Sequence, residues 1–364
     1  MYLPRQACAV ALATAALFSL LLMSGCESKT SSGATSGAEP TAVLGAAGST
    51  FIAPLMEKWV GAYQRSHPTV QVNYRAIGSG GGIAELRQGY LSFGASDAPL
   101  DDDQLKGMSP VVQIPVSAGP VCVVYNLPHL SAALRLSAKT LSDIYLGNVY
   151  TWQDAEIARD NPGVSLPKGA IIVVHRSDGS GTTNIFTSYL SKVSHDWSWK
   201  SGHGLSVTWP IGLGADGSKG MLAVVKGTPG TIGYLELNYA KESGVPVASI
   251  QNAAGVYVQP SPQSTAAAIS SFSDALVKDV RTPIVDPPAT ASDAYPIAGL
   301  TFVLIPRDRA DSGQQQAVKD FVAFALSTGQ DSAEGLEYAK LPDAVQKQGQ
   351  ELLAQLTANG QPLK

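Results

Sequence analysis

Three times in this chain a β-patterned run passes into a helical one through a turn made of glycine and hydroxyl residues. The turns are residues 44–51 (LGAAGSTF), 77–82 (IGSGGG) and 176–183 (RSDGSGTT). Glycine lets a backbone come close to a ligand, and the unpaired N–H groups and dipole at a helix N-terminus favour an anion. Ser and Thr add donors without adding charge. Taken singly, the same residues are ordinary caps and turn formers, and spacing alone does not bring three turns together.

The periodicity around these turns alternates. Met56, Trp59, Val60 and Tyr63 recur at helical spacing after Pro54, and Val70, Val72, Tyr74 and Ala76 alternate as in a half-buried strand. A short helix is expected from Ile83, a strand over 91–95, and a β-rich stretch over 111–125 interrupted at Gly119-Pro120. Further on come a helix at 141–146, a strand at 170–174, a helix beginning near Asn184, a strand at 300–305 and a helix at 316–326. This pattern predicts α/β architecture, and 364 residues suggest about two domains. A hydrophobic fraction of 45% is enough for packed cores, and a net charge of −4 leaves no basic footprint for nucleic acid.

The N-terminal segment stands apart. Arg5 is the only charge before Glu27, and residues 7–23 are small and apolar, a length that suits the h-region of an export signal better than a membrane span. The stretch closes in Leu22-Met23-Ser24-Gly25-Cys26, which resembles the lipobox of bacterial lipoproteins. On that reading residues 1–25 are a signal peptide, Cys26 is lipidated, and 26–41 is a flexible tether reaching about 20 Å; the other reading is a simple secretory signal with a chance Cys. Cys8 then leaves with the signal and Cys122, inside an apolar β run, remains as a buried lone thiol, so no disulfide is expected.

Residues 93–99 (FGASDAP) end a strand with an acid, Asp97. By itself Asp97 reads equally as a solvated turn residue or a cap for the acidic segment at 101–103. The blocks GSTFIAPLMEKW, IGSGGGI, FGASDAPL, KTLSDIYLG, RSDGSGTTNIFTSYL, WPIGLG, GTIGYLE and LEYAKLPDAV follow one another from about residue 44 to 346. Together they resemble the periplasmic phosphate-binding proteins of phosphate-specific ABC transporters.

That resemblance implies a periplasmic binding protein fold of type II: two α/β domains joined by two crossovers, with a ligand cleft between them. Residues 42–117 plus 294–364 would form one domain and 118–293 the other, crossing near Ser117 and Ala294. It implies inorganic phosphate held by Ser49, Thr50 and Phe51, by Ser79 and Asp97, and by Arg176, Ser180, Gly181 and Thr182, with Asp178 pairing the arginine. It further implies a periplasmic monomer without cofactor, metal or catalytic residues, serving a membrane-embedded permease; the lipobox, in place of the simple cleavable signal common in that family, adds a lipid anchor at Cys26. An ionised Asp97 would accept a hydrogen bond from the proton that phosphate carries and sulfate lacks.

Other readings stay open beside it: binding of arsenate or sulfate, a phosphate-sensing surface lipoprotein, or a hydrolase using Ser180. Asp178-Gly179-Ser180-Gly181-Thr182 does not have the spacing of a nucleophile elbow. Residues 212–217 (GLGADG) match a dinucleotide fingerprint but are expected to form a loop, with no clear helix following. His175 is expected at a strand end, outside any ligand contact.

Overall fold

A fifteen-residue strand carries the architecture of the computed structural model, which describes residues 41–130 and 132–364. In chain order the central sheet comprises β1 (Ala42–Gly48), β2 (Val70–Ala76), β3 (Phe93–Ser96), β4 (Val111–Tyr125), β5 (Ile172–Arg176), β6 (Leu213–Ala215), β7 (Thr231–Glu236) and β8 (Ala298–Pro306). They lie side by side in the order β2-β1-β3-β8-β4-β7-β5-β6. Its outer portions are parallel, β1 with β2 and β3, and β5 with β6 and β7. Antiparallel ladders around β8 and β4 join them.

β4 is buried from Val112 to Tyr125, and at about 3.4 Å per residue it extends about 50 Å. Its first part pairs with β8, and its last five residues, Val121 to Tyr125, pair with β7. The expected interruption at Gly119-Pro120 does not occur: Gly119 lies opposite Gly299 and Pro120 opposite Ala298. Proline's fixed φ is tolerable in an extended strand, at the loss of one ladder donor. Gly119 is required by packing, since a Cβ there would fall 2.7 Å from the Phe51 ring. The ladder shifts register between Thr301 and Phe302.

The helices that matter for the site are α1 (Ala53–Ser66), α2 (Ser79–Arg87), α3 (Gly181–Val193), α4 (Gly217–Gly227) and α5 (Leu237–Ser243). α1 buries Leu55, Met56, Trp59 and Tyr63 on one face, as its spacing predicts, and Trp59 Nε1 donates to Gly329 O at 2.8 Å. Several element starts differ from expectation, three of them near the site. α2 begins at Ser79 rather than Ile83, so Gly80, Gly81 and Gly82 are themselves helical; a Cβ on Gly82 would meet Gly48 Cα at 2.5 Å. α3 begins at Gly181 rather than near Asn184. β5 begins at Ile172, Ala170 making only an isolated bridge to Thr151.

Residues 212–217 do not form a loop. They supply β6 and the start of α4, which buries Ser218, Met221 and Val225. Thr41, expected at the end of the tether, already belongs to the body, its N–H donating to Thr69 O at 2.7 Å. The signal segment, the rest of the tether and Cys26 lie outside the described residues. Cys122 is a fully buried free thiol on β4, and burial pushes its pKa well up.

Candidate functional site

The C-terminal ends of β1, β2 and β5 lead to the three turns singled out in the sequence, Asp97 follows β3, and these segments meet. Gly80 N–H donates to Gly179 O at 2.8 Å, joining the second turn to the third. Ser49 and Ser79 converge on Asp97, which joins the first turn to the second. A Cβ on Gly78, whose φ is +81°, would fall 2.5 Å from Asp178 Oδ2. Only glycine meets both demands, the left-handed backbone and the close approach.

Asp97 is buried and is neither a solvated acid nor a helix cap. Its Oδ1 accepts from Thr301 Oγ1 at 2.7 Å, and Ser49 Oγ lies 2.7 Å from both carboxylate oxygens. Ser79 Oγ donates to Oδ2 at 3.4 Å and accepts from the Asp97 N–H at 3.2 Å. Asp101 caps the next helix itself. Burial pushes the Asp97 carboxyl up to about 7; the Thr301 and Ser49 hydrogen bonds pull the other way, Glu236 adds to the rise, and Arg176 opposes it. The carboxyl is therefore poised between its two forms near neutrality, rather than simply ionised as the sequence leads one to expect.

Arg176 closes β5 and is almost wholly buried. Its Nε and Nη2 bond the two oxygens of Asp178 at 2.6 and 2.5 Å, and Nη1 donates to Ser218 Oγ at 3.3 Å. Burial works against the guanidinium charge, but the Asp178 pairing outweighs it and raises the Arg176 pKa. The same pairing, with the Gly217 N–H at 3.1 Å, holds Asp178 below the usual carboxylate range despite its burial. His175 stacks on Trp209 with ring centroids 4.7 Å apart, and its Nδ1 lies 3.0 Å from Arg176 O, away from the Asp97 cluster's hydrogen bonds.

The remaining predicted residues supply donors of two kinds. Ser180 Oγ caps α3 by accepting from the Thr183 N–H at 3.1 Å. The Gly181 and Thr182 N–H groups at that helix start have no acceptor among the described residues. Several other donors are already engaged. Phe51 N–H donates to Ser49 Oγ at 3.0 Å, Thr182 Oγ1 donates to Glu236 Oε1 at 2.8 Å, and Thr50 Oγ1 lies 2.8 Å from Ser218 Oγ.

Three residues whose side chains bond predicted side chains were missed in the sequence: Ser218, Glu236 and Thr301, the last through its hydroxyl bond to Asp97. Ser218, at the start of α4, bonds Thr50, Arg176 and Glu236. Glu236, the last residue of β7, is 1% exposed and receives the hydroxyls of Thr182 and Ser218. The strand-turn-helix run ending in GADGS could have pointed to Ser218, because it repeats the glycine-hydroxyl junction of the other three. Nothing local marks Glu236.

An anion between these turns would meet oriented N–H dipoles, a guanidinium and a carboxyl able to exchange one proton. This defines a solute-binding architecture for a small oxyanion. A family model described as a PBP superfamily domain matches residues 34–328. The phosphate-binding protein PstS of Xylella fastidiosa is 42% identical over 306 residues, covering 84% of this chain and 83% of its own. That of Methanocaldococcus jannaschii is 35% identical over 356 residues, covering 91% and 90%. Among solved structures, the phosphate binding protein of Stenotrophomonas maltophilia superposes with a TM-score of 0.65 at 18% identity, over 85% of this chain and 93% of that one. The fold is the two-domain, type II periplasmic binding protein fold. The chain belongs to the PBP superfamily and, within it, to the family of the phosphate-binding proteins PstS.

Proposed function

We propose that this chain captures inorganic phosphate between the three glycine-hydroxyl turns and hands it to a membrane-embedded ABC permease. The observation that carries the reading is a buried, proton-exchanging Asp97 beside helix N-termini and a single guanidinium. Such a pocket rewards an oxyanion that brings a proton and penalises one that does not. Family membership supports the same reading and fits a binding protein rather than an enzyme.

In this reading Thr50 and Phe51, Ser49, Ser79 and Asp97 contact the anion from one wall, and Arg176, Ser180, Gly181 and Thr182 from the other. The donor arrangement supports the Gly181 and Thr182 backbone contacts most directly. Asp178 orients Arg176 and offsets its charge, so oriented dipoles stabilise much of the anion. The walls belong to domains 42–117 plus 294–364 and 118–293, and phosphate shifts their equilibrium toward the closed form that a permease recognises. The protein acts as a periplasmic monomer anchored through Cys26. Arsenate shares the chemistry of phosphate and is an expected competitor.

Calorimetric titration with phosphate, sulfate and a phosphomonoester tests the reading. Tight, saturable phosphate binding without turnover is expected. Hydrolysis of the ester, or sulfate binding as tight as phosphate at alkaline pH, would overturn it. Membrane fractionation of the full chain and of Cys26→Ala tests the anchor, with release of the variant expected.

A further inference from the structure

Successive carbonyls of the first turn each face a tyrosine. Tyr74 on β2 donates its hydroxyl to Ser49 O at 2.7 Å, Tyr239 on α5 donates to Thr50 O at 3.3 Å, and Tyr338 donates to Phe51 O at 2.6 Å. The three side chains come from parts of the chain far apart in sequence and close on one short stretch of backbone. Tyr338 is fixed further by its edge contact with the Phe51 ring, with centroids 5.8 Å apart. Burial pushes all three phenol pKa values up, so each hydroxyl keeps the proton it donates.

A planar trans peptide points its carbonyl and its N–H in opposite directions. Holding the carbonyls of Ser49, Thr50 and Phe51 therefore fixes where the N–H groups of Thr50, Phe51 and Ile52 point. Two of these are satisfied by Ser49 Oγ, Phe51 N–H at 3.0 Å and Ile52 N–H at 3.4 Å. The Thr50 N–H has no acceptor among the described residues. Thr50 borders the pocket, its Oγ1 lying 2.8 Å from the Ser218 Oγ that Arg176 also bonds. Released from Tyr74, the Ser49–Thr50 peptide is free to rotate and set a carbonyl oxygen where an anion needs a donor. The hydrogen bond from Tyr74 also polarises that peptide and strengthens its N–H as a donor.

We propose that Tyr74, Tyr239 and Tyr338 form a clamp that aims the first turn's backbone donors at the bound oxyanion, with Tyr74 governing the Thr50 N–H. This inference rests on the phosphate reading of the site. The tyrosines are positioning residues, acting through the backbone of the turn rather than on the ligand. They add affinity without sorting one oxyanion from another, because an N–H dipole serves any of them. Sorting belongs to Asp97, whose carboxyl distinguishes a ligand that carries a proton from one that does not.

The test is calorimetric titration with phosphate, and competition with sulfate, on the full chain and on Tyr74→Phe, which keeps the ring and removes the hydroxyl. Phosphate affinity is expected to fall about tenfold, the scale of one buried hydrogen bond, with sulfate affinity falling in parallel. Unchanged affinity overturns the proposal. So does a loss confined to phosphate, which would place the effect on Asp97. No phosphate binding by wild type overturns the phosphate reading along with the clamp. Nuclear magnetic resonance follows the turn directly and needs no variant for its first result. Labelling with ¹³C-carbonyl serine and ¹⁵N threonine marks the Thr50 amide together with those of Thr265 and Thr328, and Ser49→Ala identifies the first by loss of its signal. Phosphate should move the Thr50 amide proton downfield in wild type and by clearly less in Tyr74→Phe. A Thr50 amide that ignores phosphate in a wild type that binds it, or that responds equally in both proteins, overturns the clamp and leaves the phosphate reading intact.

Discussion

Gly181 and Asp97 face each other so closely that a Cβ on the glycine would fall 2.5 Å from Asp97 Oδ2, and 2.4 Å from Ser79 Oγ. The start of α3 is therefore pressed against the end of β3, and no other side chain fits between them. A Gly181→Ala substitution must push the walls apart by several tenths of an ångström or more. It is expected to weaken phosphate binding by about tenfold to a hundredfold, the equivalent of an overpacked contact. The same overpacking should lower the thermal midpoint of the ligand-free protein as well. Titration with unchanged affinity would show that the pocket does not need this contact.

Asp97→Asn replaces the group that can receive a proton from the ligand. Selectivity for phosphate over sulfate should fall, by an amount up to roughly the 10⁴-fold discrimination that such polar matching provides. In wild type the same selectivity should also decline as pH falls through about 7, where Asp97 becomes protonated and can itself donate to sulfate. Competition titrations across pH 6 to pH 8, values chosen to span about one unit either side of that point, check both outcomes.

The raised pKa of Asp97 also makes ligand-free stability depend on pH. The native carboxyl holds its proton up to about 7, whereas the unfolded one releases it near 3.8. Between these values the native state binds more protons, so the slope of unfolding free energy with pH is negative. The Asp97 contribution is thus full at low pH and lost as pH rises through about 7. Thermal melts of wild type and Asp97→Asn should differ in this window, wild type losing stability relative to the variant as pH rises. Parallel curves would contradict the burial of a titrating carboxyl.

Arg176→Lys keeps the charge and loses the fork. A single ammonium cannot bond both Asp178 oxygens and still reach Ser218 as the guanidinium does. Phosphate affinity should drop by about tenfold to a hundredfold, the scale of charge-assisted hydrogen bonds. Recovery of wild-type affinity in the lysine variant would assign the residue a purely electrostatic role.

Much of this site was legible because its chemistry is local. The glycine-hydroxyl turns announce themselves within eight residues, whereas Asp97 was marked only by the resemblance of the ordered blocks, and the structure gathers them. The glycines at 80–82 hid the first turn of α2, since low helix propensity conceals a helix that tertiary packing against Gly48 secures. The Gly119-Pro120 pair reads as punctuation, but ladders on both flanks override it. Ser218 was passed over because Lys219 and Gly220 interrupt any apolar period after it. Glu236 was invisible for a different reason. An acid after five residues of buried strand looks like a return to solvent, and only the three-dimensional meeting of β5, α3 and α4 encloses it.

Because β4 belongs to the ladder of β8 along one stretch and to that of β7 along the next, the two halves hang from one beam. Heat cannot melt either half without stripping hydrogen bonds from the other, so the protein should unfold in a single calorimetric transition despite its two-part construction. Any change of angle between the halves must be absorbed as torsion of that beam, most readily where the register slips between Thr301 and Phe302, rather than at a slack joint. Thr301 is also the residue whose hydroxyl holds Asp97. The point where the frame can twist is therefore one hydrogen bond away from the carboxyl that tests for a proton.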